Sequence, residues 1–136
     1  MNITLFGIDD TAVINFASQL SKKLNITHIN ATSAFSDYLM SKDKKSNKNL
    51  EKLEKSFIEE ISNFNNMIIS IPHDMFISNK NYKLLTKSLK IHVKFNLNNE
   101  ILENLDNLLE KYADINISNV NFLNEVVKIL KEKYNI

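Results

Sequence analysis

The feature that most constrains the fold of this chain is the alternation of short β-prone runs with amphipathic segments. The run Met67–Ile71 is continuously apolar, which is typical of a strand buried on both faces of a parallel sheet. Four further runs predict strands at Asn2–Phe6, Thr27–Asn30, Ile91–Phe95 and Ile115–Ile117. The alternation predicts a three-layer α/β/α fold, in which helices cover both faces of a five-stranded parallel sheet.

The segments between these strands carry apolar residues at helical spacing. In the first segment Val13, Phe16 and Leu20 share one helical face, and Asp10 is expected to be the N-cap of that helix. Further helices are predicted at Ser33–Met40, Leu50–Ile61, Tyr82–Leu89, Ile101–Leu109 and Phe122–Tyr134, and a polar linker at Lys42–Asn49. We expect one domain over residues 1–136, since this length is sufficient to bury a hydrophobic core.

The composition excludes several kinds of site. All 17 basic residues are lysine, the only glycine is Gly7, and there is no cysteine. Without arginine, the chain cannot grip a carboxylate or a phosphate through a planar guanidinium. Without cysteine, it has neither disulfides nor thiolate metal ligands.

The sequence gives no sign of a nucleic-acid or membrane partner. The net charge of +1 is too small to indicate binding to nucleic acid. No basic leader and no long apolar stretch is present, so neither a signal peptide nor a membrane span is expected. The cytoplasm is therefore the expected location.

The segment around Gly7 resembles the start of a shikimate kinase. Members of that family have an apolar strand, a phosphate loop of the form G-x-x-G-x-G-K-[ST], and then a helix. Asn2–Gly7 matches the strand and the first glycine, and Leu20–Ile26 matches the end of the helix. Within the loop, Asp9 and Thr11 take variable positions, the second and third glycines fall on Asp10 and Ala12, the lysine on Val13, and the serine or threonine on Ile14.

These replacements are unfavourable to a nucleotide. A phosphate loop works because backbone N–H groups, a helix N-terminus and a lysine converge on the anion. Val13 lacks the charge of that lysine, and Ile14 cannot bind Mg²⁺. Asp9 and Asp10 add negative charge, and one such repulsion at about 4 Å costs roughly 4 kcal/mol at an effective dielectric constant near 20.

Other landmarks of the family also fall on different residues. Glu54 matches a family glutamate, and Leu109–Ala113 is close to the family's Y-x-x-x-A, with leucine in place of tyrosine. The chain has almost no room for the family's arginine-bearing lid. The replaced positions are Asn30 and Thr32 for the D-x-D that serves metal and shikimate, Glu51 for a substrate arginine, and Pro72, His73 and Asp74 for a glycine triplet.

The resemblance implies the P-loop kinase topology of the shikimate kinases without their chemistry. We therefore expect a catalytically inactive protein that acts through binding, with an unidentified protein or small molecule as its partner and with no cofactor or metal. The alternative is a related small-molecule kinase or ligand binder with a rebuilt site, and only in that case is Mg-ATP expected as a ligand.

The residues leave other chemistry open. His73 and Asp74 follow the third strand and are candidates for an acid–base couple, or for a metal site together with Asp9 or Asp10. The alternative is a turn in which Asp74 caps the next helix. Asp9 and Asp10 also resemble the paired acids of a receiver domain, although the expected lysine after the last strand is missing. No base lies at a recognisable spacing from Ser70, so a nucleophilic serine is not expected.

Overall fold

The computed structural model describes residues 1–41, 49–79, 87–94, 99–118 and 123–136. Its strands form one parallel sheet in the order β2-β3-β1-β4-β5. The strands are β1 Ile3–Phe6, β2 Thr27–Asn30, β3 Met67–Ser70, β4 Leu89–Val93 and β5 Ile115–Ile117. This is the five-stranded parallel sheet that the sequence predicted.

Most of the helices that connect these strands begin and end close to the predicted positions. They are α1 Asp10–Leu24, α2 Ala31–Ser41, α3 Leu50–Ile61, α4 His73–Ser78, α5 Glu100–Glu110 and α6 Leu123–Lys133. α1 ends where Asn25 adopts the left-handed conformation, with φ of 54°. None of the helices in the described ranges has the length and apolar content that a membrane crossing requires.

Helices cover the sheet on both faces, and each face has its own hydrophobic core. On the first face α1 and α6 pack over the strands, with Phe16, Leu20 and Leu130 fully buried. On the second face α2, α3, α4 and α5 pack around Phe6 and Phe76, whose rings are stacked with centroids 3.9 Å apart. Because the middle strands are buried on both faces, β1 and β3 are apolar almost throughout, as the sequence suggested.

Two helix starts differ from the prediction. The N-cap of α1 is Asp9, and Asp10 is already the first helical residue. The segment Pro72–Asp74 is not a turn capped by Asp74: Pro72 takes the N-cap position of α4 without a side-chain hydrogen bond, and Asp74 lies in the first turn. Proline at this place costs nothing, since the first N–H groups of a helix have no partner within it.

Two element ends also differ. Leu89 begins β4 instead of ending a helix, because its N–H donates to the carbonyl of Asn2 and it pairs with Ile3 of β1. α5 ends at Glu110, so Leu109–Ala113 is not helical throughout and its last residues form a turn. Parts of four predicted segments lie outside the described residues: 42–48 of the polar linker, 82–86 of a helix, Phe95 of the fourth strand and Phe122 of the last helix.

Candidate functional site

The connection from β1 to α1, where the phosphate loop was expected, is only three residues long. Gly7, Ile8 and Asp9 separate the strand from the helix. The Asp9 carboxylate accepts a hydrogen bond from the N–H of Ala12 at 3.2 Å, and the Asp9 carbonyl accepts one from the N–H of Val13 at 3.0 Å. The N–H of Ala12 is therefore bonded by the cap side chain, and the N–H of Val13 makes the first backbone hydrogen bond of the helix.

Gly7 is required at this turn by packing. A Cβ atom on Gly7 would lie 2.5 Å from the carbonyl oxygen of Val93 in β4 and 3.1 Å from a methyl carbon of Val13. Gly7 does not have a positive φ, so the requirement comes from the close approach of β4 rather than from backbone strain. The match of Gly7 to the family's first glycine thus has a structural cause that involves no ligand.

The positions matched to the lysine and to the serine or threonine lie on α1. Val13 is fully buried in the core of the first face, and Ile14 is half-buried. Thr11 is exposed in the first turn. Neither Val13 nor Ile14 has a polar atom in its side chain, so this part of α1 contributes packing and no ligand group.

Asn30 and Thr32, the positions matched to the D-x-D motif, support the start of α2. The Asn30 Oδ1 accepts hydrogen bonds from the N–H groups of Thr32 at 3.0 Å and Ser33 at 3.4 Å. The Thr32 hydroxyl donates to the Asp10 carboxylate at 3.4 Å, which joins α2 to the start of α1. Thr32 therefore contacts Asp10 at the carboxyl end of the sheet, although β3 lies between β2 and β1.

The carboxylate of Asp10 is the centre of an acidic group at this edge of the sheet. Burial raises its pKa most, and the hydrogen bond from Thr32 opposes this effect. The charges of Asp74 and Asp9 raise the pKa further, while His73 lowers it. The structure therefore brings together these five residues, which come from three separate connections of the chain.

Glu54 on α3 extends this acidic group. Its carboxylate accepts a hydrogen bond from the Asn79 side-chain amide at 2.7 Å. Burial raises the pKa of Glu54 most, the bond from Asn79 lowers it, and Asp74 and Glu51 raise it again. The negative charge of Asp74 thus raises the pKa of two carboxyl groups, those of Asp10 and Glu54. Glu51 forms an ion pair with Lys55 at 3.5 Å.

The geometry favours neither the acid–base couple nor the metal site that the sequence left open. The Asp74 carboxylate accepts a hydrogen bond from the N–H of Met75 at 2.9 Å, in the first turn of α4. In the described ranges, no three His, Asp or Glu side chains are placed to share a metal ion.

Aromatic side chains occupy the space between α2 and α3 beside this acidic group. The Phe35 ring lies 5.2 Å from the Phe57 ring, and the Tyr38 ring lies 5.6 Å from it. Phe35 and Tyr38 are partly buried against the core of the second face. The space between α2 and α3 is therefore filled by packed aromatic side chains.

Comparison with known proteins gives a match through structure. No protein-family model matches the chain, and no curated protein matches it at a significant level. A shikimate kinase from Acinetobacter baumannii, solved in complex with shikimate, matches with a TM-score of 0.69 and 12% identity, over 97% of this chain and 94% of that chain. A shikimate kinase from Aquifex aeolicus matches with a TM-score of 0.61 and 18% identity, over 99% of both chains. This chain has the shikimate kinase fold.

An uncharacterized protein from Eubacterium ventriosum is similar to this chain in fold as well. It matches with a TM-score of 0.62 and 9% identity, over 98% of this chain and 99% of that chain. At these identities the likeness concerns the path of the backbone, and the chemistry of the site depends on the side chains described above.

Sequence reasoning missed the base beside Ser70. His28 Nε2 lies 2.9 Å from the Ser70 hydroxyl oxygen, because the parallel register of β2 and β3 aligns Asn30 with Ser70. Burial lowers the pKa of His28, which favours the neutral ring. The two residues are 42 positions apart in the chain, so no recognisable spacing could have revealed this pair. Ser70 is only 1% exposed, however, so its hydroxyl is inaccessible to a substrate.

Proposed function

We propose that this protein has the shikimate kinase fold but does not transfer phosphate, and that it acts by binding a protein or small-molecule partner. The observation that carries the proposal is the start of α1. Three residues separate α1 from β1, the N–H groups of Ala12 and Val13 bond to Asp9, and the Val13 side chain is in the core. A phosphate group would meet the capping carboxylate of Asp9 and no lysine at this place.

The electrostatics of the same edge support the proposal. The charge of Asp74 acts on both Asp10 and Glu54, and the net effect of their surroundings is to raise the pKa of these two carboxyl groups, with burial as the largest cause. A carboxylate whose pKa is raised in this way is already in an environment unfavourable to negative charge. The additional charge of a nucleotide or of a carboxylate substrate would add to that cost.

The outer surface of α5 supports a role in binding. Ile101 is 79% exposed and Leu108 is 40% exposed, and Leu105 lies between them on the same helical face. An apolar stripe on the outside of a helix is the kind of surface that proteins use for contact with a partner.

Thermal unfolding with and without millimolar Mg-ATP and shikimate tests the absence of kinase ligands. A ligand at about 100 times its dissociation constant stabilises a fold by roughly 2.7 kcal/mol, which is a shift of several degrees for a domain of this size. We expect no shift with either ligand. The shikimate kinase from Acinetobacter baumannii, whose structure contains shikimate, provides the positive control for shikimate in the same buffer.

A reproducible shift with Mg-ATP would contradict the proposal. It would favour the alternative of a kinase with a rebuilt site. A shift with Mg²⁺ alone would indicate a divalent-cation site instead. To separate the two, the scan is repeated with Mg²⁺ but no nucleotide.

A further inference from the structure

Three carboxylates at the carboxyl edge of the sheet form a row. Asp74 on α4 acts through its charge on both Asp10 of α1 and Glu54 of α3. Glu54 is not among the groups whose charge acts on Asp10, so Asp74 lies between the other two. The row therefore joins three helices at the edge of the sheet where α/β folds bind small ligands.

The negative charge of this row has no lysine partner. None of the salt bridges between described residues includes a carboxylate of the row. The charge of His73 lowers the pKa of Asp10 and offsets part of the negative charge. The hydrogen-bond donors to the row are the Thr32 hydroxyl for Asp10, the Met75 N–H for Asp74 and the Asn79 amide for Glu54. Because a carboxylate has about four acceptor positions, the row can accept further donors.

A buried acceptor beside Glu54 also lacks a donor. Asn79 is 1% exposed, and its amide nitrogen donates to the Glu54 carboxylate at 2.7 Å and to the Met75 carbonyl at 2.8 Å. Both amide hydrogens are used, so rotating the amide would set its oxygen against two other acceptors. Within the described part of the chain, the Asn79 Oδ1 has no hydrogen-bond partner. A buried acceptor without a donor costs free energy, so this oxygen is suited to an added N–H group.

The spacing of the carboxylates decides which kind of cation fits. In the ranges that the structure describes, no three His, Asp or Glu side chains are placed to share a metal ion. A divalent metal ion needs its oxygen ligands around one point. A chain with several ammonium groups can instead place one group at each carboxylate, and the link between the groups strengthens each further contact. The row is therefore suited to a linear organic polycation.

We propose that Asp10, Asp74, Glu54 and the Asn79 Oδ1 bind a small linear molecule that carries two or more primary ammonium groups. An ammonium group has three N–H donors, so one at Glu54 can bond to the carboxylate and to the amide oxygen beside it. Asp74 is exposed and Asp10 and Glu54 are half-buried, so the row is open to solvent. The inference rests on the proposed function, since it names the chemical class of the small-molecule partner.

Isothermal titration calorimetry with spermidine, in the absence of nucleotide, tests the site. We expect one spermidine bound per chain. Propylamine, which has a single ammonium group, should bind at least roughly tenfold more weakly. A failure to bind spermidine would overturn this inference and leave the proposed absence of phosphate transfer intact, because that proposal is tested separately by Mg-ATP.

A pair of double variants locates the binding. Asp10→Asn with Glu54→Gln removes two charges of the row and keeps an oxygen to accept the Asn79 amide, and it should weaken spermidine binding by roughly a hundredfold. Glu59→Gln with Glu60→Gln removes two charges from exposed positions of α3 and should bind like the wild type. Equal weakening in both would show a general attraction of a polycation to an acidic surface, and would refute the site.

Trilysine distinguishes a free polyamine from the lysine side chains of a partner protein. Its net charge at neutral pH equals that of spermidine, and its ammonium groups are attached to a peptide backbone. We expect spermidine to bind at least as tightly as trilysine. Tighter binding of trilysine, with the same loss in the Asp10 and Glu54 double variant, would assign the row to a protein segment and overturn the small-molecule assignment.

Discussion

Val13 is one residue at which this protein keeps the shikimate kinase fold and lacks a phosphate-binding group. The position is matched to a phosphate-binding lysine, but its side chain is fully buried and packs beside Gly7, which lies against the Val93 carbonyl. A charged group at this position would have to leave water for the core on the first face of the sheet.

The first prediction concerns the return of the lysine at this position. Val13→Lys should destabilise the protein by about 3 kcal/mol or more, because it buries an unpaired ammonium group. It should not produce any stabilisation by Mg-ATP. Urea unfolding with and without the nucleotide measures both effects.

The matched control adds the same charge elsewhere on α1. Asn15 is exposed, so Asn15→Lys should leave the free energy of unfolding nearly unchanged. If Val13→Lys were as stable as this control and gained stability from Mg-ATP, the backbone of the turn would be competent for phosphate after all.

At the scale of an element, the cap of α1 has the role that a ligand would otherwise take. Asp9 satisfies N–H groups that a helix start leaves unpaired, and its negative charge lies at the positive end of the helix dipole. A glycine-rich loop would leave such groups free for an anion. The Asp9 carboxylate therefore occupies the place at the helix start where a phosphate would bind.

The second prediction separates capping from charge. Asp9→Ala should lower the free energy of unfolding by about 1 kcal/mol, while Asp9→Ser, which keeps a capping oxygen but no charge, should lose less than half of that. Urea unfolding measures the difference. Asn99→Ala provides a comparison, since Asn99 caps α5 through the N–H groups of Ile101 and Leu102. An alanine variant at Asp9 as stable as the wild type would contradict the capping role.

At the scale of the whole molecule, the carboxylates at the edge of the sheet make stability depend on pH. Asp10 and Glu54 come from different elements, and the pKa of each is raised above its ordinary value, 3.8 for Asp10 and 4.5 for Glu54, chiefly by burial. In the range above these values the folded state binds more protons than the unfolded state. Stability therefore falls as the pH rises through this range.

The third prediction follows from this sign. The double variant Asp10→Asn and Glu54→Gln should be more stable than the wild type at about pH 7, and its advantage should shrink as the pH falls toward the ordinary values of the two groups. Urea unfolding over this pH range measures the trend. Glu60→Gln, at an exposed position of α3, is the control. A double variant that is less stable at neutral pH would show that the two carboxylates are stabilised by their surroundings.

The sequence by itself determined the strands and most of the helices. Strands and helices bury one or both faces, so the spacing of apolar residues along the chain shows where they lie. The apolar run that starts at Met67 and the helical spacing in α1 are examples. The short helix α4 was not foreseen, since six residues after Pro72 give too little periodicity to recognise. The cap of α1 was placed one residue late, because Asp9 and Asp10 are equally suited to it.

Tertiary structure decided which side chains meet. Asp10, Asp74 and Glu54 lie on three helices, and His92 and Asp106 are separated by 14 residues of the chain. His28 meets Ser70 only because β2 and β3 are paired in one particular register. Composition and periodicity report the face on which a residue lies, whereas the distance between two side chains depends on strand order and register, which arise when the whole sheet assembles.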